Sequence, residues 1–313
     1  MLGPGLVNGA LALALTTWPA YARQARSEIQ RLRHSDYLAA AEMMGIRGRR
    51  LLAGHILPLC LPSAIVRLAL VGESGSGKSM TARALMGLVR KPGVVTADTL
   101  NILGRDALTL NARGWQQLRG NDIAMVLQDP RYALNPVKTV KAQLEEALTL
   151  HQRLNRREKE EKINTAIQAV GLNTRVLQSY PRELSGGMGQ RVMIAIALIN
   201  DPRVLIADEP TSALDVRLRN QILELLVTQC EQRQMAMLLI SHDLPLVAQF
   251  CHRVLVMYQG NKVDEMHAAA LPTATHPYTR TLWTCRPNAQ TYGQMLPTLD
   301  RTAMTPEKYH DDC

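Results

Sequence analysis

Gly72-Glu73-Ser74-Gly75-Ser76-Gly77-Lys78-Ser79 is the stretch on which the reading of this chain turns. It fits G-x-x-x-x-G-K-[ST], with an apolar run before it and a helix-forming run after it. Glycines at this spacing let the backbone bend until its N–H groups converge. Those groups and the N-terminus of the following helix make an anion site. Lys78 is expected to reach the β- and γ-phosphates of a nucleotide, and the Ser79 hydroxyl to ligate Mg²⁺. A Gly/Ser-rich turn that merely ends in Lys-Ser is the plain alternative.

Around this loop, short apolar runs alternate with helical stretches. Residues 68–71 lead into the loop as a strand, and 80–89 read as helix. Runs 122–127, 204–207 and 237–240 have the continuous apolar character of strands buried on both faces of a parallel sheet. Residues 140–170 read as helical, with a solvated charged stretch at 153–162. Residues 253–258 and 261–265 flank Gln259-Gly260 and read as a late hairpin. The run 204–207 ends in Asp208-Glu209. A buried strand delivers such a pair at its carboxyl end, where ligands bind in open α/β sheets. Asp208 is expected to hold Mg²⁺, and Glu209 to orient or deprotonate an attacking water.

With these motifs, Leu184-Ser185-Gly186-Gly187-Met188-Gly189-Gln190 completes a pattern that resembles the ATP-binding cassette (ABC) ATPases. The resemblance covers residues 67–266. It implies a P-loop α/β fold with a mostly parallel sheet and a helical subdomain at about 130–185. It also implies ATP and Mg²⁺ as ligands, and a closed state formed by two subunits. Ser185, Gly186, Gly187 and Gln190 then belong to a signature loop, ahead of a helix from Arg191, that closes over nucleotide held by the other subunit. Gly189 departs from the basic residue or Gln common at that position. Gln128 in Leu127-Gln128-Asp129-Pro130 matches the glutamine loop, touching Mg²⁺ or the attacking water. Ser212-Ala213-Leu214-Asp215 matches the loop that crosses the dimer interface. His242 in Ile240-Ser241-His242-Asp243 matches the histidine that contacts the γ-phosphate.

Leu134-Asn135-Pro136 and His276-Pro277-Tyr278-Thr279-Arg280 resemble the ATPases of dipeptide, oligopeptide and nickel importers. That branch implies uptake of peptides, nickel or a metal–chelator complex. It implies a sister ATPase as partner (like or unlike), two permeases, and an external binding protein reached indirectly. The place implied is the cytoplasmic face of the cell membrane. Cys285 and Cys313 do not reproduce the cysteine spacing of branch members that carry an iron–sulfur cluster, so no cluster is expected.

The first 66 residues read differently. Residues 2–20 are uncharged, mostly apolar, and near the roughly 20 residues that cross a bilayer. They hold no basic residue before the apolar run, unlike a signal peptide. Residues 21–52 look helical, and 56–66 form an apolar run too short to cross. Seven arginines against three acidic residues give this segment a net +4 of the chain's +9. Such excess beside an apolar stretch marks the cytoplasmic side of a membrane. Ser35-Asp36-Tyr37-Leu38-Ala39-Ala40-Ala41-Glu42-Met43-Met44-Gly45 and His55-Ile56-Leu57-Pro58 resemble the coupling loop of the permeases in the same importers. The expected organisation is an all-α permease-like fragment at 1–66, an ATPase at 67–286 and a tail at 287–313, with a seam near 63–67. The family's adenine-stacking aromatic and the strands around it are not recognisable before the loop.

Composition limits the other readings. The 313 residues include one Phe and five scattered cysteines without a C-x-x-C pair. Few aromatics count against nucleic-acid binding, which uses stacking platforms. Thiols in this pattern suit a reducing compartment better than a disulfide or zinc framework. A DNA-repair ATPase would insert a coiled coil where only 140–170 stands. A catalytically silent remnant of a permease–ATPase fusion is the remaining alternative.

Overall fold

The structure, a computed structural model, describes residues 66–212 and 214–286. The expected membrane helix, coupling loop and tail, and Ala213, lie outside the described residues. The described residues from Arg67 to Arg286 belong to one compact unit.

Its frame is a six-stranded sheet in the order β4-β5-β6-β1-β7-β8. These strands are β1 (Arg67–Val71), β4 (Ile123–Val126), β5 (Val204–Asp208), β6 (Ala236–Ile240), β7 (Arg253–Tyr258) and β8 (Asn261–His267). All neighbours are parallel except β7 and β8, which form the expected hairpin. A separate small antiparallel ladder joins β2 (Asn101–Ile102) to β3 (Arg105–Asp106).

The parallel strands β1, β4, β5, β6 and β7 read as apolar runs because both faces are covered. Along β1, Ala69 and Val71 face one core while Leu70 faces the other. The same alternation puts Leu205 and Ala207 opposite Ile206. One face packs on α1 (Lys78–Leu85) and α2 (Ala112–Leu118) through Ala82 and Leu118. The other packs on α6 (Gly186–Leu198), α7 (Val216–Gln232) and α8 (Leu244–Phe250) through Val192, Leu226 and Val247. A helical layer precedes α6: α3 (Pro130–Ala133), α4 (Val140–Thr149), α5 (Arg156–Ala169) and two short 3₁₀ turns. The chain ends its described part with α9 (Pro277–Thr284). Among the described residues no helix is long and apolar enough to cross a membrane.

Three boundaries differ from the sequence reading. The helix after the loop starts at Lys78, not 80, and ends at Leu85, because Gly77 (φ 101°) turns the chain into it and Gly87 (φ 60°) turns it out. The run 140–170 is two helices rather than one. Asn155 accepts from the Glu158 N–H, and the Glu158 carboxylate accepts from the Asn155 N–H, a reciprocal cap that starts a new helix. The third is α6, which begins at Gly186 rather than Arg191. Ser185 caps it by accepting from the Met188 N–H at 3.3 Å, so the signature glycines form its first turn.

Candidate functional site

The glycine loop joins β1 to α1 at the carboxyl edge of the sheet. Gly72 takes φ +150°, and a Cβ there would stand 2.1 Å from the Met257 carbonyl oxygen. Only glycine fits that approach to β7. Gly75 (φ 83°) opens onto free space. The β7–β8 turn supports the loop from below, where the Gly260 N–H donates to Ser76 O at 3.1 Å.

Lys78 is buried within the loop. Its ammonium donates to Gly72 O at 2.9 Å, Glu73 O at 2.7 Å and Ser76 Oγ at 3.4 Å. Burial lowers its pKa, against the opposing pull of Glu209, Asp208 and Glu73.

The acidic pair meets this loop. Ser79 Oγ donates to Asp208 Oδ1 at 3.0 Å. Burial, and then the Glu209 charge, push the Asp208 carboxyl above its ordinary range, while Ser79, Arg83 and Lys78 restrain the rise. Glu209 sits at φ +46°, with its N–H on Ile240 O at 2.9 Å. This turn out of β5 aims its carboxylate between two neighbours. Gln128 Nε2 donates to Glu209 Oε2 at 3.4 Å, and His242 Nδ1 lies 3.5 Å from Glu209 Oε1. The side chain of His242 is 61 % exposed, so its ring is open to a ligand.

Two cavities flank this line of residues. One of about 360 Å³ is lined by Gly72, Glu73, Ser74, Lys78, Glu209 and His242, with Leu244 and Leu282. The other, about 430 Å³, is lined by Ser79, Arg83, Gln128, Asp129, Asp208 and Ser212, among others. A larger cavity of about 490 Å³, beside Ala169, Arg191 and Gln229, holds none of these groups. Convergent chemistry, and not volume, marks the site. Ser79 and Asp208 present hard oxygen donors, which suits Mg²⁺, an ion that takes one or two protein ligands and completes its shell with water and phosphate.

The remaining expected residues lie elsewhere. Ser185 and Asp215 are helix caps, Asp215 accepting from the Leu218 N–H at 2.9 Å. A Cβ on Gly186 would meet nothing within 4 Å, and one on Gly187 would lie 3.5 Å from Leu218. Gln190 has a different place from the one expected at nucleotide. It is 1 % exposed and its amide donates to Pro210 O at 2.7 Å, pinning the turn that follows Glu209. Gly189 also gains a reason. A Cβ there would stand 3.3 Å from the Pro130 ring, so any side chain at this position would require that ring to shift. Tyr278, within the motif His276-Pro277-Tyr278-Thr279-Arg280, has a place in the site that the motif does not signal. Its buried hydroxyl accepts from the Glu73 N–H at 3.0 Å, inside the phosphate loop. No periodicity signals such a contact across 205 residues.

Comparisons with known proteins give the chain a family. The family model described as ABC transporter matches residues 63–212. A second, described as binding-protein-dependent transport system inner membrane component, matches residues 1–99. The dipeptide transport ATP-binding protein DppD of Haemophilus influenzae is 45 % identical over 219 residues, covering 69 % of this chain and 66 % of that protein. DppD of Escherichia coli K12 is 42 % identical over 245 residues, with 77 % and 74 % covered. The oligopeptide transport ATP-binding protein AppD of Bacillus subtilis is 39 % identical over 250 residues, with 79 % and 76 % covered. The chain thus spans two thirds to three quarters of the length of these relatives. Among solved structures, the dimeric ATP-binding cassette MJ0796 bound to ADP and Pi superposes with a TM-score of 0.58 at 27 % identity, covering 65 % of this chain and 85 % of that one. The cbiO1 protein of Clostridium perfringens, part of the transporter complex cbiONQ, gives 0.59 at 25 %, covering 67 % and 80 %.

Proposed function

Because this chain belongs to the ABC transporter ATP-binding family, we propose that it hydrolyses ATP to drive an importer of the dipeptide and oligopeptide type. One observation carries the reading: the loop serine meets Asp208, while Gln128 and His242 bracket Glu209 at the same sheet edge.

The residues divide the work as follows. Amides of the loop and the N-terminus of α1 bind the phosphates, with Lys78 moving its ammonium from loop carbonyls onto them. Mg²⁺, when bound, neutralises charge on the β- and γ-phosphates, and Ser79, Asp208 and Gln128 are the residues to hold it. Glu209 accepts the proton of the attacking water. His242 and Gln128 fix the Glu209 carboxylate from either side, and the exposed ring of His242 is free to reach the γ-phosphate. Ser185, Gly186 and Gly187 present a capped helix start, an anion site that a second subunit's nucleotide would use.

The relatives' names support peptides as cargo, whereas nickel or a metal–chelator complex would require the same ATPase under a different permease. The partners proposed are a sister ATPase and two permeases, with an external binding protein acting through them. Its place would be the cytoplasmic face of the membrane. The permease-type match at residues 1–99 supports membrane association.

ATP binding and phosphate release by the purified chain, alone and with a sister ATPase, test the reading. Glu209→Gln should retain ATP and lose turnover by at least about 100-fold, the scale of a missing general base. Absence of ATP binding in the unsubstituted chain would instead support the silent-remnant alternative.

A further inference from the structure

Tyr278 lies in α9, at the far end of the described chain from the phosphate loop, yet touches it. It is fully buried, with its ring 4.7 Å from that of Tyr258 at an interplanar angle of 52°. Its hydroxyl oxygen accepts from the Glu73 N–H at 3.0 Å. The other end of that residue is also engaged: Glu73 O receives the Lys78 ammonium at 2.7 Å and the Ser76 N–H at 3.2 Å. Glu73 therefore has its N–H tied to α9 and its carbonyl tied to the lysine that the phosphates need. Rotation of this stretch would break both ends at once. A second tie holds the same helix turn to the sheet, where Thr279 Oγ1 donates to Asp264 Oδ2 at 2.6 Å. Leu282, one turn along α9, lines the same cavity as Lys78, Glu209 and His242.

We infer that Tyr278 is a positioning residue for the phosphate loop, and that its hydroxyl sets nucleotide affinity through Glu73 and Lys78. The inference rests on the ATPase reading above and assigns that site a strut outside its nucleotide-binding motifs. The hydroxyl contributes through its acceptor oxygen. Burial pushes its pKa up to about 12, so it stays a neutral phenol near pH 7.

Tyr278→Phe keeps the ring against Tyr258 and deletes only the acceptor. The ATP dissociation constant should rise roughly 3- to 10-fold, the scale of the net contribution of one hydrogen bond, with kcat at saturation nearly unchanged. Amide exchange at Glu73 should accelerate in the same variant without nucleotide present. Thr279→Val removes the neighbouring tie and should lower the unfolding temperature without weakening ATP binding. Unchanged ATP affinity in Tyr278→Phe, unchanged exchange at Glu73, or equal weakening by Thr279→Val would overturn the inference. If the unsubstituted chain binds no ATP, the ATPase reading fails, while Glu73 exchange still reports whether the strut exists.

Discussion

Ser79 Oγ donates to Asp208 Oδ1 at 3.0 Å, across 129 positions of sequence. The two residues meet because β1 and β5 run parallel with only β6 between them. Their carboxyl ends, and whatever follows them, therefore emerge at one edge.

Asp208 is held at a cost that pH reveals. Burial raises its carboxyl pKa in the folded chain. Its ionisation therefore opposes folding, a penalty absent below the unfolded value near 3.9 and growing as pH rises through the raised folded value. Asp208→Asn should then raise the unfolding temperature at pH 7 in Mg²⁺-free buffer and leave it unchanged near pH 3. The same variant should lose Mg²⁺-dependent turnover. Thermal unfolding at the two pH values, beside a phosphate-release assay, checks both signs.

Gly72→Ala tests the close approach of the loop to β7. The new Cβ would stand 2.1 Å from Met257 O at a φ that side chains rarely adopt. Strain of this kind costs about 1–3 kcal/mol, and the loop must move to relieve it. Nucleotide affinity should fall more than 10-fold while the far-ultraviolet spectrum of the chain is retained. Equilibrium binding of a fluorescent ATP analogue measures it.

Gln190→Ala separates a structural glutamine from a ligand-binding one. The Pro210 carbonyl would lose its partner in a buried place. The expected cost is about 1–3 kcal/mol, or roughly 2–4 °C of unfolding temperature per kcal/mol for a domain of this size. ATP affinity of the single subunit should stay within about twofold, since this side chain faces the core. Calorimetry and nucleotide titration on one preparation decide between the two roles.

Ser185→Ala should act on two levels. Loss of the α6 cap costs about 1 kcal/mol. If the signature closes over a partner's nucleotide, turnover at high subunit concentration should drop far more than stability does. Binding of ATP to the dilute single chain should not change. Turnover plotted against subunit concentration distinguishes a cap alone from a cap that is also an interface.

Sequence alone determined the parts that depend on local chemistry. The glycine spacing at 72–79, the apolar run into Asp208-Glu209 and the turn at Gln259-Gly260 each specify backbone shape within a few residues, so their periodicity could be read directly. Helix ends were less legible. The capping exchange of Asn155 with Glu158 splits an otherwise continuous helical pattern. Tertiary structure alone decided which polar groups serve the ligand and which serve the fold. Gln190 looked like a ligand residue by its position in the signature, and packing turned it inward onto Pro210. Tyr278 looked like a branch marker, and packing carried its hydroxyl to Glu73. Both outcomes depend on hydrogen-bond partners far along the chain, where a buried polar group must find whatever donor or acceptor the fold brings within about 3 Å.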